Sequence, residues 1–140
     1  MSDTTLTADD LTRLREVFAR VPFVRLLGLE LRSAERGAAT FTLDVREELT
    51  RMEGLLHGGV LASLLDTAAA CAVHTMLEPG GRTLTVDLTI HYLRPTTDGR
   101  ITARAHVLRE GRRLVILAVE ATDEAGALIA TAVTTYVKQN

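Results

Sequence analysis

The stretch that decides the fold is residues 57–77, HGGVLASLLDTAAACAVHTML. Of the residue types Asp, Glu, Lys and Arg, it contains a single example, Asp66. The stretch is too long for one buried strand and is rich in Leu and Ala, which predicts a helix from His57 to about Leu77. Apolar residues surround nearly its whole circumference, so this helix needs cover on most of its sides. Pro79-Gly80-Gly81 follows and is expected to end it.

Segments that alternate apolar and polar residues flank this helix and predict strands. They cover a weak candidate at 29–34 and better ones at 38–45, 82–93, 100–109, 113–122 and 127–138. Short turns join the last four segments, so we expect antiparallel neighbours in a meander. Within 82–93, strict alternation places Leu88, Ile90 and Tyr92 on one face and Thr85 on the other.

The N-terminal region predicts one amphipathic surface helix over residues 8–20, because its apolar residues recur at helical spacing. Thr7 and Asp10 resemble a capping box in which Asp takes the place of Glu or Gln. Pro22 is expected to close this helix, since the residue before a proline avoids the helical region. Residues 46–56 fit neither period and are predicted to form a loop.

These elements together predict an α+β architecture. A long apolar helix must be buried, and an antiparallel sheet of five or six strands is the only large surface available to cover it. The simplest solution is a curved sheet wrapped around the helix, which is the hotdog fold, with the N-terminal helix on the surface. The length of 140 residues predicts a single domain over residues 1–140.

Composition narrows the possible partners and cofactors. The net charge is −2, and there are no Trp, two Tyr and three Phe, which disfavours nucleic acid. The apolar runs fall far short of the roughly 20 residues of a membrane span, and the acidic start does not resemble a signal peptide. A lone cysteine, Cys71, suits a reducing compartment. We expect a cytoplasmic protein without a membrane partner, and no His or Cys spacing predicts a metal.

The candidate site lies at the start and in the middle of the central helix. Glycines at a helix start leave the first N–H groups unhindered, so Gly58 can donate to an oxyanion or a polarised carbonyl. A carboxylate inside an apolar helix is costly unless it is paired or used, which makes Asp66 a candidate for catalysis. A structural Asp66 paired with Arg51, and a Gly59 needed only for close packing, are the alternatives.

Three parts of the sequence carry a family resemblance: GLLHGGVLASLLDTAAACAV at 54–73, TLTVDLTIHYLRP at 83–95 and GRR at 111–113. Together they resemble the hotdog acyl-CoA thioesterases of the PaaI-like (phenylacetic acid degradation) family. The resemblance implies an acyl-CoA substrate and no cofactor.

The resemblance also implies roles for four residues. The Gly58 N–H would polarise the thioester carbonyl, and Asp66 would act as nucleophile or general base. Thr85 would help to hold water, although a β-former on a strand face explains it equally well. His57 would either contact the substrate or orient the loop before the helix.

Arginines form the second group of candidates. The family commonly has Asn six residues before the histidine, and this chain has Arg51 there. An arginine cannot accept a proton from water, so Arg51 either pairs with a carboxylate or binds an acidic group of the substrate. Nearby glutamates (Glu47, Glu48 and Glu53) could neutralise it. Gly59, Arg94 and Arg112 complete the expected substrate-binding set, the arginines as contacts for CoA phosphates or as solvated strand ends.

The spacing within the helix bears on assembly. Gly58 and Asp66 are separated by eight positions, roughly 12 Å along a helix axis, yet both must approach the reacting group to about 3 Å. Two antiparallel helices from two chains satisfy both conditions, which predicts a homodimer. The family resemblance implies a homotetramer, built as a dimer of dimers, as the other possible assembly. The expected function is an acyl-CoA thioesterase, with a non-catalytic acyl-CoA-binding hotdog protein as the alternative.

Overall fold

The structure is a computed structural model that describes residues 5–139. The first four residues of the acidic N-terminal stretch lie outside the described residues. In chain order the elements are α1 (Ala8–Ala19), α2 (Pro22–Leu27), β1 (Glu30–Glu35), β2 (Ala38–Asp44), α3 (Gly58–His74), β3 (Arg82–Tyr92), β4 (Arg100–Glu110), β5 (Leu114–Thr122) and β6 (Leu128–Gln139). Two short 3₁₀ turns, Glu47–Leu49 and Met52–Gly54, lie between β2 and α3. None of the helices in the described range is long and apolar enough to cross a membrane.

The six strands form one antiparallel sheet in the order β1-β2-β4-β5-β6-β3, and α3 packs against its inner face. The helix contributes fully buried residues such as Leu64, Leu65 and Val73, which meet inward side chains of the strands such as Phe41 and Leu117. This arrangement confirms the predicted α+β hotdog fold. In this fold the buried helix α3 contains two of the predicted site residues, Gly58 and Asp66.

The N-terminal region contains one helix more than predicted. The capping box of α1 is present, with the Thr7 hydroxyl accepting from the Asp10 N–H and the Asp10 carboxylate accepting from the Thr7 N–H. Pro22 ends α1 as expected, but it also occupies the first turn of α2, which the sequence interpretation missed. Proline is favoured at that position because the first N–H of a helix has no partner within the helix.

The predicted meander is wrong in one pairing, because β3 does not lie beside β4. β3 pairs with β6 at one edge of the sheet, and β4 lies between β2 and β5. The connecting residues 93–99 can span roughly 23 Å when extended, whereas crossing from β3 over β6 and β5 to β4 needs only about 14 Å. A connection of this length therefore does not require its two strands to be neighbours.

The face assignment within β3 is also corrected, by a β-bulge. Thr85 lies opposite Tyr136 and Asp87 lies opposite Thr135, so Val86 is the extra residue on this strand. The Thr135 N–H donates to Asp87 Oδ1 (3.1 Å) and stabilises the bulge. A bulge breaks strict alternation, so Thr85 faces α3 together with the residues that follow the bulge.

Candidate active site

The start of α3 is organised by its N-cap, His57. Its backbone is extended, and its Nδ1 accepts a hydrogen bond from the Gly59 N–H (2.8 Å). A Cβ atom at Gly59 would lie 3.0 Å from two atoms of the imidazole, so this glycine lets the ring sit close to the helix start. The Gly59 N–H therefore already has an acceptor in His57. In this contact the His57 side chain acts as the N-cap of α3.

The N–H of Gly58, unlike that of Gly59, has no acceptor among the described residues. The carbonyl of Gly58 accepts from the Tyr92 hydroxyl (2.8 Å). The N–H lies at the positive end of α3, where an anionic or polarised oxygen is favoured. Tyr92 also lies 3.4 Å from where a Cβ would stand at Gly58. The first position of α3 thus offers one free donor in a half-buried setting.

Asp66 lies two turns further along the same helix and is half-buried. Its Oδ1 accepts from the Thr85 hydroxyl (2.9 Å) and from the Tyr136 hydroxyl. The Tyr136 hydroxyl also lies 2.7 Å from the main-chain oxygen of Asp66. Within the described part of the chain, nothing donates to Oδ2. The carboxylate is thus held by one oxygen and leaves the other available as a proton acceptor.

Tyr136 is a residue of this site that sequence reasoning missed. It is 2% exposed, and burial together with the Asp66 charge raises its pKa above the usual range of tyrosine. The hydroxyl therefore stays protonated and acts as a donor toward Asp66. The signal that could have found it is the alternation of β6, in which Ala132, Thr134 and Tyr136 all point toward α3 and are buried.

A cavity of about 330 Å³ opens beside Gly58 and contains two of the predicted arginines. The hydrogen bond from the Leu56 N–H to the Thr96 carbonyl (2.8 Å) joins the two loops that form it. The lining consists mostly of apolar side chains: Arg51, Leu55, Leu56, Gly58, Leu61, Tyr92, Leu93, Arg94, Pro95 and Thr96. The structure therefore brings Arg51, Arg94 and Gly58 together.

The charge partners expected for Arg51 are absent in the described chain. No carboxylate among residues 5–139 lies within ion-pairing distance of the Arg51 or Arg94 guanidinium, and Glu48 pairs with Arg46 instead (3.1 Å). The expected neutralisation of Arg51 by neighbouring glutamates is therefore wrong. A pair between Arg51 and Asp66 is likewise not formed within the chain.

The third predicted arginine, the cysteine and a second histidine lie away from this cavity. Arg112 is exposed in the turn between β4 and β5 and does not line it. Cys71 is fully buried, and burial raises the pKa of its thiol to about 12. His74 packs edge-on against Phe18 with ring centroids 5.6 Å apart, and burial lowers its pKa. Over residues 5–139, no group of three or more His, Cys, Asp or Glu is arranged to hold a metal ion.

Comparison with known proteins adds a family match. The family model described as "Thioesterase superfamily" matches residues 53–130, which include the start of α3, Asp66 and Thr85. The chain is 34% identical to the "Medium/long-chain acyl-CoA thioesterase YigI" of Salmonella typhimurium, over 94% of this chain and 96% of the relative. It is 38% identical to the human "Acyl-coenzyme A thioesterase 13", over 84% of this chain and 88% of the relative.

Among solved structures, the PaaI protein from the phenylacetic acid degradation operon of E. coli superposes with a TM-score of 0.86. The match covers 93% of each chain at 24% sequence identity, so it supports the fold alone.

Proposed function

Since the chain belongs to the thioesterase superfamily, we propose that it is an acyl-CoA thioesterase that hydrolyses a thioester to a free acid and CoA. One observation carries this proposal: α3 presents a free donor at the Gly58 N–H and a free acceptor at Asp66 Oδ2. Hydrolysis of a thioester needs both groups, one for the developing oxyanion and one for the proton of the attacking water.

In the proposed reaction, Asp66 Oδ2 takes a proton from water as the water oxygen bonds to the thioester carbon. The Gly58 N–H donates to the carbonyl oxygen while negative charge develops there. The tetrahedral intermediate then expels the CoA thiolate, which receives the proton that Asp66 took from water, and the acid is released. In the variant in which Asp66 is the nucleophile, its Oδ2 bonds to the carbon, the carbon–sulfur bond breaks and the CoA thiolate leaves. Water then hydrolyses the resulting anhydride to the acid and the Asp66 carboxylate, and a proton of that water passes to the thiolate. Thr85 supports either path by holding the carboxylate.

We propose that each site is shared between two chains. The two groups lie roughly 12 Å apart along one helix, so Gly58 of one chain would face the partner subunit's Asp66. Leu84 and Val86 support this assembly, because both are more than half exposed on β3, an edge strand whose outer side has no neighbour among the described strands. Apolar side chains on an open edge are typical of a covered interface. A homodimer or a dimer of dimers satisfies these requirements.

The cavity beside Gly58 is the proposed substrate channel. Its apolar lining suits an acyl chain or ring, and the unpaired Arg51 and Arg94 suit an anionic group of the substrate. In this proposal His57 and Gly59 shape the helix start that meets the thioester. Arg112, which lies outside the cavity, remains a proposed contact for a CoA phosphate at the rim.

A panel of acyl-CoA substrates tests the activity. Release of free CoA is measured with aryl-, medium- and long-chain thioesters, beginning with the medium and long chains in the relative's name. We expect turnover with at least one class. Saturable binding of acyl-CoA without release of CoA would instead support the non-catalytic acyl-CoA-binding protein.

Mixing two inactive variants tests the shared site. Asp66→Asn keeps Gly58, and Gly58→Pro keeps Asp66, so a mixed dimer contains one unaltered site and one doubly altered site. Random association makes half of the dimers mixed, so coexpression should restore about a quarter of the wild-type activity. If both groups of a site came from one chain, mixing would restore nothing.

A further inference from the structure

Tyr136 makes two contacts to Asp66 that the proposed mechanism does not use. Its hydroxyl donates to Asp66 Oδ1 and lies 2.7 Å from the main-chain oxygen of the same residue. We infer that Tyr136 is a positioning residue, which holds the Asp66 carboxylate so that Oδ2 faces the thioester and the attacking water. This inference rests on the proposed function, in which Asp66 is the base or nucleophile.

The first step concerns rotation of the carboxylate. The terminal torsion of an aspartate is broad and roughly two-fold, so packing of the helix alone does not fix the plane of the carboxylate. In this site two hydroxyls, from Thr85 and Tyr136, converge on Oδ1. Rotation of the carboxylate plane away from this orientation would break both hydrogen bonds and would turn the other oxygen away from the substrate. Donors to a charged oxygen form the stronger class of hydrogen bond, so this rotation is strongly opposed.

The second step separates Tyr136 from Thr85. Thr85 is exposed and lies on the edge strand β3, whereas Tyr136 is 2% exposed on β6, between β5 and β3. The additional contact to the Asp66 main chain places the hydroxyl relative to α3 itself. Tyr136 is thus the more rigid of the two donors, and its high pKa keeps it protonated over the working range of an enzyme.

The test is Tyr136→Phe, which keeps the buried ring and removes only the hydroxyl. We expect kcat to fall roughly 10- to 100-fold with KM within about twofold, because the contact acts on the reacting group and not on substrate binding. The acid limb of the kcat–pH profile should move to higher pH, since a carboxylate with fewer donors holds its proton more readily. A loss of packing alone would not move this limb.

Thr83→Val is the matched control. The Thr83 hydroxyl donates to the Val137 carbonyl (2.8 Å) and so links β3 to β6 as well, but it does not touch Asp66. This variant should keep kcat within about twofold and leave the acid limb in place. Thr85→Val combined with Tyr136→Phe should cost less than the product of the two single effects, because both hydroxyls act on one oxygen.

The outcomes separate the inference from the proposed function. If the wild type releases no CoA from any substrate of the panel, the proposed function fails, and if Asp66→Asn retains turnover, the proposed role of Asp66 fails. If Asp66→Asn is inactive while Tyr136→Phe keeps wild-type kcat and an unmoved acid limb, only the inference is overturned. Should Tyr136→Phe fail to fold, 3-fluorotyrosine in place of Tyr136 provides the measurement, because it keeps the shape and makes the hydroxyl a stronger donor. The acid limb should then move to lower pH, and an unmoved limb overturns the inference.

Discussion

The first turn and the middle of α3 have opposite electrostatic properties. Among the described residues, nothing accepts from the Gly58 N–H and no carboxylate pairs with the two arginines, Arg51 and Arg94, that line the adjacent cavity. At Asp66 two hydroxyls hold carboxylate Oδ1 in place, and Oδ2 has no donor among the described residues. The Gly58 region thus presents hydrogen-bond donors, and the Asp66 region presents a hydrogen-bond acceptor. In the proposed shared site, these two regions are complementary halves that an antiparallel second helix would bring together.

The two regions also differ in how the chain builds them. The Gly58 region depends largely on nearby residues, such as the His57 cap and the hydrogen bond from the His57 N–H to the Leu49 carbonyl (2.9 Å). The Asp66 region depends on partners that are 19 and 70 positions away, Thr85 and Tyr136. The capped helix start that presents the Gly58 N–H is thus a local structure, although Arg94 reaches the adjacent cavity from the segment after β3. The hydrogen bonds that hold the Asp66 carboxylate exist only when the sheet has formed.

The largest effect is expected from Asp66→Asn, which removes the acceptor but keeps the shape. We expect kcat to fall at least 100-fold with the fold retained, because loss of a general base removes a contribution of roughly 10²- to 10⁴-fold. Steady-state release of CoA, with circular dichroism as the fold control, measures this. Retention of most of the turnover would remove Asp66 from the mechanism.

Gly58→Pro attacks the donor region by deleting its N–H. His57 already has the extended backbone (ψ 131°) that a residue before proline prefers, and proline is favoured at the first helical position. We expect kcat to fall about 100-fold, the cost of one oxyanion donor. Gly58→Ala is the control, since it keeps the N–H and adds a Cβ at ordinary contact distance from Tyr92. Equal losses in both variants would point to steric disturbance and not to a lost donor.

Arg51→Asn tests whether the donor region extends into the cavity. We expect kcat within about tenfold and a raised KM, the signature of lost uniform binding. Arg25→Asn is the control, because Arg25 is exposed on α2 and does not line the cavity. A collapse of kcat at unchanged KM would instead place Arg51 in the transition state.

The smallest effect concerns stability at alkaline pH. The folded pKa of Tyr136 is raised, so this residue stays neutral in the native state while an unfolded tyrosine ionises above about pH 10. Its contribution to the free energy of unfolding is thus fully present below pH 10 and is lost as the pH rises toward the folded pKa. Urea unfolding at pH 8 and pH 11 should show a smaller alkaline loss in Tyr136→Phe than in the wild type. An equal loss in both would contradict the assignment of the shift to Tyr136.

The sequence by itself determined the elements that depend on neighbours along the chain. The central helix, the capping box of α1 and nearly all strand positions follow from periodicity and from residues within a few positions of one another. The glycines at the start of α3 and the isolated Asp66 are visible in the same way, because a helix start and a charge among apolar residues are local patterns. The hotdog fold followed from combining one apolar helix with a sheet that must cover it.

Only the tertiary structure decided the features that join distant strands. The position of β3 beside β6, and the bulge that turns Thr85 toward α3, depend on which strands pair and in which register. The donation from Tyr136 to Asp66 and the absence of a glutamate partner for Arg51 depend on the same packing. These contacts join residues far apart in sequence, and a local pattern does not specify which surface of the fold a side chain will meet. The reason is that strand pairing is set by the sum of many cross-strand contacts.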